Sequence, residues 1–294
     1  MNRIAKRSGI ILILALLLLA GLAFFVAEFV AEAGEWVIFP GSPHIYTGGN
    51  IGTGVVLDRD GTVLLDLNDG RTYAEDLELR KAMVHWLGDR NGSVSAPALP
   101  HYAAQLAGFD LVNGVYHYGE QGGVAQLTLS GAAQQAALEA MGSYKGTVAV
   151  YNYQTGELLC AVTTPAFDPD NLPDLENDPD GRYEGMYFNR FIQSAYIPGS
   201  IFKIVTTGAA LEYVDDILSR TFNCKGVLEY GVDKVSCERA HGKLSLKQAL
   251  ASSCNCSFAQ IANLVGAENL QSYADQLQIT HPVKFDGITT ARGN

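Results

Sequence analysis

The chain has 294 residues, 48% of them hydrophobic and 17% charged, with a formal net charge of -11. That length admits one large domain or a small one beside a large one, and the composition excludes a disordered tail or a fibrous repeat. The acidic sign argues against the basic face that phosphate binding needs, so no nucleic-acid partner is expected.

Residues 1–7 hold Arg3, Lys6 and Arg7 and no acid, and read as a cytoplasmic tail. Ser8 to Ala27 carries no charge, and acids follow at Glu28, Glu32 and Glu35. At about 1.5 Å per residue such a run spans a bilayer core of about 30 Å, so residues 8–30 are expected to enter the lipid bilayer as a single-pass anchor. The positive-inside rule then leaves the N-terminus in the cytoplasm of a bacterial cell membrane and the body outside. A cleaved signal peptide is the competing reading, because Ala31-Glu32-Ala33 is A-x-A-like; the length of the apolar run favours the anchor.

Residues 34–52, with Gly48-Gly49, read as a connector. Apolar runs at 54–57 and 62–65 around Asp58-Arg59-Asp60-Gly61 predict a hairpin. Arg80 to Gly88 predicts a short helix, and Asn91 to Pro100 a loop. Residues 34–123 are assigned to a pedestal domain and 124–294 to a second domain. The second begins with a strand at 125–129 and a helix at 132–141. Residues 147–151 and 158–162 form a predicted hairpin around Gln154-Thr155-Gly156, with both strands so apolar that both faces are expected to be buried. Pro165 to Gly185 predicts a long surface loop, and Ser200 to Tyr213 an apolar helix. Leu244 to Val265 predicts a helix, a turn at 252–255 and a second helix, with a further helix at 270–277.

Five cysteines are present, at 160, 224, 237, 254 and 256. The odd count leaves at least one thiol unpaired. Cys224 and Cys237 flank a predicted hairpin turning at Tyr230-Gly231, and this pair is equally open to a disulfide or to remaining reduced. Cys237 and His241 lie four apart, near Cys224 and Cys254, but the spacing matches no standard pair of zinc knuckles, so no metal is expected.

Two short motifs carry chemistry. In Pro198-Gly199-Ser200-Ile201-Phe202-Lys203 the serine and lysine share one face of a helix. A helix N-terminus favours an alkoxide at Ser200, and apolar neighbours are expected to desolvate Lys203 and make its amine a base. The bland alternative is a capping serine with a snorkelling lysine. Ser253-Cys254-Asn255 sits between two apolar helices. Capping is again the bland alternative. The chemical reading has Ser253 relaying a proton while Asn255 binds a substrate amide and helps hold Lys203.

Together the motifs resemble the transpeptidase domain of penicillin-binding proteins, marked by Ser-x-x-Lys, Ser-x-Asn and Lys-Thr/Ser-Gly. Asn189-Arg190, the stretch Gly146 to Asp168, His241-Gly242, Asp58 to Gly61 and Gln134-Gln135 are similar to the same family. The likeness covers about residues 50–280. With no glycosyltransferase motif after the anchor, it is similar to the monofunctional class B type, in the group often called penicillin-binding protein A. The implied fold is α/β, an α+β sandwich of the penicillin-binding transpeptidase and serine β-lactamase type, incomplete at its C-terminus.

The resemblance implies that Ser200 attacks a peptidoglycan stem peptide ending in D-Ala-D-Ala, that Lys203 takes its proton, and that Ser253 passes one to the leaving D-alanine. Asn255 is carried over as the third member of that motif. β-Lactam antibiotics acylate the same serine, no cofactor is needed, and a membrane glycosyltransferase is the expected partner. No Lys-Thr-Gly or Lys-Ser-Gly follows Ser253-Cys254-Asn255, so the chain reads as truncated before that box and weakly active or inactive by itself. A carboxypeptidase, a membrane-bound β-lactam sensor or β-lactamase, and a non-catalytic scaffold of the cell-wall machinery are the alternatives.

Overall fold

The uncharged N-terminal run forms one helix, α1 (Asn2–Val37). Its segment Arg7–Gly34 is 28 residues long, and an 18-residue stretch within it has a mean hydropathy of 3.1. At about 1.5 Å per residue the segment exceeds a bilayer core of about 30 Å. The apolar side chains face outward, as Leu18 does at 74% exposure. Among the described residues it is the one helix long and apolar enough to cross a membrane.

The computed structural model describes residues 2–38, 46–47, 50–68, 70–109, 122–230, 233–285 and 287–293. Contacts divide the chain into one unit of residues 1–193 with 286–288, and another of 194–285 with 289–294. The sequence boundary at 123/124 falls inside the first unit. Gly48-Gly49 of the predicted connector and Gly231 of the predicted turn lie outside the described residues.

In the first unit, β1 (Val55–Leu57), β2 (Val63–Asp66), β3 (Thr72–Tyr73) and β4 (Val124–Gln126) form a sheet in the order β3-β2-β1-β4. β1 and β2 are antiparallel, and β1 and β4 parallel. Asp58 holds the β1–β2 turn. Its buried carboxylate accepts the N–H groups of Asp60, Thr62 and, from the next helix, Gly131. Helix α2 (Leu77–Leu87) begins earlier than its apolar pattern predicts, because Asp76 accepts the Leu79 N–H at 2.8 Å and caps it.

Helix α3 (Gly131–Met141) packs with α2 on the hairpin of β5 (Gly146–Tyr151) and β6 (Leu158–Thr164). Gln134 is fully buried and joins all three elements. Its amide donates to the Ala82 carbonyl at 3.2 Å, and its Oε1 accepts the Ala161 N–H at 2.7 Å. Trp86 Nε1 donates to the Ala161 carbonyl at 2.7 Å. Both backbone groups of Ala161 are therefore satisfied by side chains, which seals the β6 edge that faces away from β5. The expected burial of both hairpin strands holds only for β6. On β5, Val150 is 48% and Tyr151 65% exposed, because among the described residues β5 pairs with β6 alone.

The predicted surface loop at 165–185 and the residues just after it are tied down at several points. Phe167, Met186 and Asn189 are buried, and Arg80 grips Asp168 through two bonds of 3.0 Å. His85 on α2 meets the Met186 carbonyl at 2.8 Å through Nε2, and its Nδ1 has no hydrogen-bond partner among the described residues. A carbonyl only accepts, so Nε2 carries the proton of a neutral ring.

In the second unit, a 3-10 turn (Gly199–Ile201) leads into α4 (Phe202–Tyr213). Gly199 has φ +56, a left-handed bend that glycine takes without steric cost. Strand β7 (Thr221–Cys224) pairs with β10 (Gly242–Ser245), and β8 (Val227–Tyr230) with β9 (Asp233–Ser236) between them in sequence. Leu244, predicted helical, lies on β10. Helix α5 (Leu246–Ala251) starts after it in a capping box of Ser245 and Gln248. Helices α6 (Asn255–Val265) and α7 (Ala267–Gln276) follow. Ala209, Ala210, Phe222, Leu246, Phe258 and Ile261 build the core. A Cβ on Gly208 would clash with the Tyr273 ring and its hydroxyl, so glycine lets α4 and α7 approach closely.

Burial is the main cause that lowers the His85 pKa from 6.5 to about 4, working against the bond to Met186. The unfolded chain then binds the extra proton first on acidification. Stability held above about pH 6.5 is lost as pH falls toward about 4, by on the order of 3 kcal/mol. Urea unfolding across that range is expected to show the loss in the wild type and a shallower one in His85→Gln. Parallel curves for the two proteins would count against it.

Candidate active site

The residues of both chemical motifs meet in the second unit. Lys203, on the first turn of α4, projects back toward Ser200 in the 3-10 turn, with Nζ 3.1 Å from Oγ. The same Nζ donates to the Ser253 carbonyl at 2.7 Å, Ser253 Oγ at 2.8 Å and Asn255 Oδ1 at 2.6 Å. Ser253 Oγ donates to Ser200 Oγ at 3.0 Å. Two hydroxyls and one amine thus form a closed triangle, and the Asn255 amide fixes the amine from outside it. An ammonium has three protons for these four acceptors. One hydroxyl is therefore left to compete, which couples the position of the amine to the state of both serines.

The loop bearing Ser253 and Asn255 owes its shape to two helix ends that share almost no linker. At the end of α5, the Cys254 N–H reaches the Ala249 carbonyl and the Ser253 N–H the Leu250 carbonyl, each at 3.0 Å. This pair of bonds is a Schellman motif, and its left-handed position is taken by Ser253 at φ +49. Cys254 then caps α6, with Sγ accepting the Ser257 N–H. Turning the chain left-handed at Ser253 brings its hydroxyl and carbonyl to Lys203. Asn255 opens the new helix, and its Nδ2 donates to the Ser236 carbonyl at 2.9 Å. Capping and chemistry are therefore both present in this tripeptide.

The apolar jacket expected around Lys203 is not formed by its sequence neighbours. Ile201 and Ile204 are 72% and 65% exposed, because helix geometry turns them away from the core. The apolar surface at the amine is instead the Phe258 ring, whose centroid is 5.8 Å from Nζ. Phe258 lies one helical turn after Asn255, a spacing that marks a shared face. The Ser236 carbonyl left no signal of its own in the sequence.

None of the five cysteines is disulfide-bonded. Cys224 and Cys237, the pair left open by the sequence, have their sulfurs 3.8 Å apart.

Residues 146–294 match the family model of the penicillin binding protein transpeptidase domain. The chain belongs to that family. It is 30% identical over 186 residues to the peptidoglycan D,D-transpeptidase PbpA of Mycobacterium tuberculosis, an overlap of 55% of this chain and 37% of that protein. It is 33% identical over 132 residues to the stage V sporulation protein D of Bacillus subtilis, covering 44% of this chain and 20% of that one. The chain thus spans well under half the length of these relatives. Among solved structures, the D,D-transpeptidase domain of a peptidoglycan glycosyltransferase from Eggerthella lenta superposes with a TM-score of 0.63 at 28% identity, over 82% of this chain and 56% of that one. Penicillin-binding protein A from M. tuberculosis, as its penicillin G acyl-enzyme complex, gives a TM-score of 0.64 at 23% identity over 82% and 62% of the two chains, and bears on the fold alone. The α/β architecture implied by the sequence resemblance is the fold of these structures.

The left-handed backbone at Ser253 sets a stability order. Ser253→Gly and Ser253→Ala both lose the hydroxyl, but only alanine keeps the strain of a Cβ at positive φ. The glycine variant is expected to be the more stable by about 1 kcal/mol in denaturant titration. Equal midpoints would show that the position carries no such strain.

Proposed function

We propose that the chain carries the acylation machinery of a membrane-anchored D,D-transpeptidase that cross-links peptidoglycan stem peptides. The observation that supports it most is the triangle of Ser200 Oγ, Lys203 Nζ and Ser253 Oγ, with sides of 3.1, 2.8 and 3.0 Å. In this reading Ser200 is the nucleophile. Lys203, once neutral, turns its lone pair to the Ser200 hydroxyl and takes its proton as Oγ attacks the carbonyl between the two terminal D-alanines. Ser253 bonds both groups, so the proton passes from Lys203 through its hydroxyl to the leaving D-alanine. Asn255 keeps Nζ on the shared side of the two serines and offers its amide to the substrate. The Ser200 backbone N–H serves as one donor to the oxyanion.

The substrate class is a stem peptide ending in D-Ala-D-Ala, and β-lactam antibiotics stop the cycle at the acyl-Ser200 stage. No cofactor takes part. Residues 8–30 anchor the protein, with residues 1–7 in the cytoplasm, residues 34–123 as a pedestal, and residues 124–294 as the catalytic domain facing the wall. A membrane glycosyltransferase supplies the glycan strands whose stems are joined.

Fluorescent penicillin labelling of the full chain in detergent tests this reading. Slow labelling by the wild type is expected, with complete loss in Ser200→Ala and a fall of at least about 100-fold in rate in Lys203→Ala, the scale of a missing general base. Label retained in Ser200→Ala, or a folded wild type that takes none, would overturn the assignment. Rapid turnover of a chromogenic cephalosporin would instead mark a β-lactamase.

A further inference from the structure

We propose that the cleft between α2, the end of α3 and the 165–185 segment binds an uncharged glycan strand of the cell wall, with Tyr144 as its stacking platform. The cleft measures about 960 Å³, and all its lining residues belong to the first unit. That volume is at the upper end of the range for ligand sites, about 300–1,000 Å³. It is a half-open trough, a shape that admits a length of polymer as well as a compact molecule.

Charge selects the class of ligand. Five carboxylates and three cations line the cleft, so an anion is disfavoured. The cations are already committed within the protein. Lys81 pairs with Glu78 at 2.8 Å. Lys145 Nζ donates to the Gly181 carbonyl at 2.7 Å and to Glu184 at 3.2 Å. The Arg182 guanidinium lies over the Tyr183 ring, 5.4 Å from its centroid. Four other lining side chains, Glu139, Ser143, Asn171 and Asp180, have no partner among the described residues. They offer a hydroxyl, an amide and two carboxylates, which gives donors and acceptors together. A sugar ring bearing hydroxyl and acetamido groups uses both kinds, whereas a peptide amine would use the acceptors alone.

Tyr144 supplies the apolar face. Its side chain is 80% exposed at the exit from α3. Its backbone is nevertheless fixed, because its N–H donates to the Met141 carbonyl at 2.9 Å and its carbonyl accepts the Thr164 hydroxyl at 2.6 Å. The C–H groups on one face of a sugar ring are weakly positive and meet the negative face of an aromatic ring.

The walls are set before any ligand arrives. Arg80 grips Asp168 through two bonds of 3.0 Å, Lys145 ties the exit of α3 to Gly181, and Arg190 donates to the Thr164 carbonyl at 3.0 Å. A preformed cleft spares the ordering cost of binding. The choice of a wall glycan rests on the cell-wall reading above. On that reading, glycan held by the first unit is a second attachment to the polymer whose stems the second unit acylates, and the two add as a multivalent contact.

The full chain in detergent is titrated with the β-1,4-linked tetramer of N-acetylglucosamine, followed by saturation-transfer NMR and calorimetry. Saturable binding in the millimolar range is expected. Tyr144→Ala is expected to weaken it about tenfold, the upper end for aromatic stacking, and Tyr144→Phe to stay within about twofold of the wild type. Tyr153→Ala removes a tyrosine that is 82% exposed outside the cleft and is expected to change nothing. All three side chains altered are exposed, so melting temperatures are expected to match the wild type. The proposal is overturned by a folded wild type that does not bind the tetramer, or by binding that Tyr144→Ala leaves unchanged. Displacement of the tetramer by a lysine-containing stem pentapeptide would also overturn it, by marking a peptide site. Penicillin labelling is followed on the same samples. Labelling lost with tetramer binding intact removes the transpeptidase reading alone, and tetramer binding absent with labelling intact removes this proposal alone.

Discussion

The site depends on a single constraint: α5 must end and α6 must begin with only three residues, Ser252 to Cys254, between them. A helix end leaves carbonyls without partners, and a helix start leaves N–H groups without partners. The Schellman bonds to Ala249 and Leu250 close the first end, and the Cys254 cap closes the second. That leaves Ser253 in a left-handed conformation which a serine adopts only at some cost. The surrounding bonds hold it there. Three of the four oxygens around Lys203 Nζ belong to Ser253 and Asn255, so the position of the amine follows from the geometry of this junction.

The remainder of the second unit supports the junction from two sides. Gly208 lets α7 lie close against α4, which carries Lys203. The paired hairpins bring the Ser236 carbonyl up to Asn255 and set Cys224, Cys237 and His241 beside Cys254. Polar satisfaction and packing are thus solved by the same residues, which is characteristic of sites whose geometry must not drift. In the first unit, Gln134 and Trp86 do a comparable job. They close the inner edge of the β5–β6 hairpin with side chains, while the other strand keeps apolar residues exposed.

Local signals read well from the sequence. The apolar run of the anchor, the Asp58–Gly61 turn, the β5–β6 hairpin and the helices after Ser200 and Leu244 each follow from short-range periodicity and turn chemistry. Differences arose where a cap or a partner outside the window prevailed. Asp76 moved the start of α2, Ser245 and Gln248 moved the start of α5, and the 165–185 segment was tied down by Arg80 at Asp168 and, just past its end, by His85 at Met186. The burial expected of β5 failed for a related reason. An apolar strand is buried only where something packs on it, and its own sequence does not say what that is.

By itself the sequence determined which side chains are available for chemistry: Ser200 with Lys203 one turn away, and Ser253 with Asn255 at a helix junction. Spacing along a helix is a local property, and those pairs are set by it. Tertiary structure decided the rest, because it brings together groups about 50 residues apart. It turned Ile201 and Ile204 outward, put Phe258 under the amine, and gathered three cysteines and a histidine that no spacing rule joins. Contacts of that range depend on how hairpins and helices pack, and no window of neighbouring residues contains them.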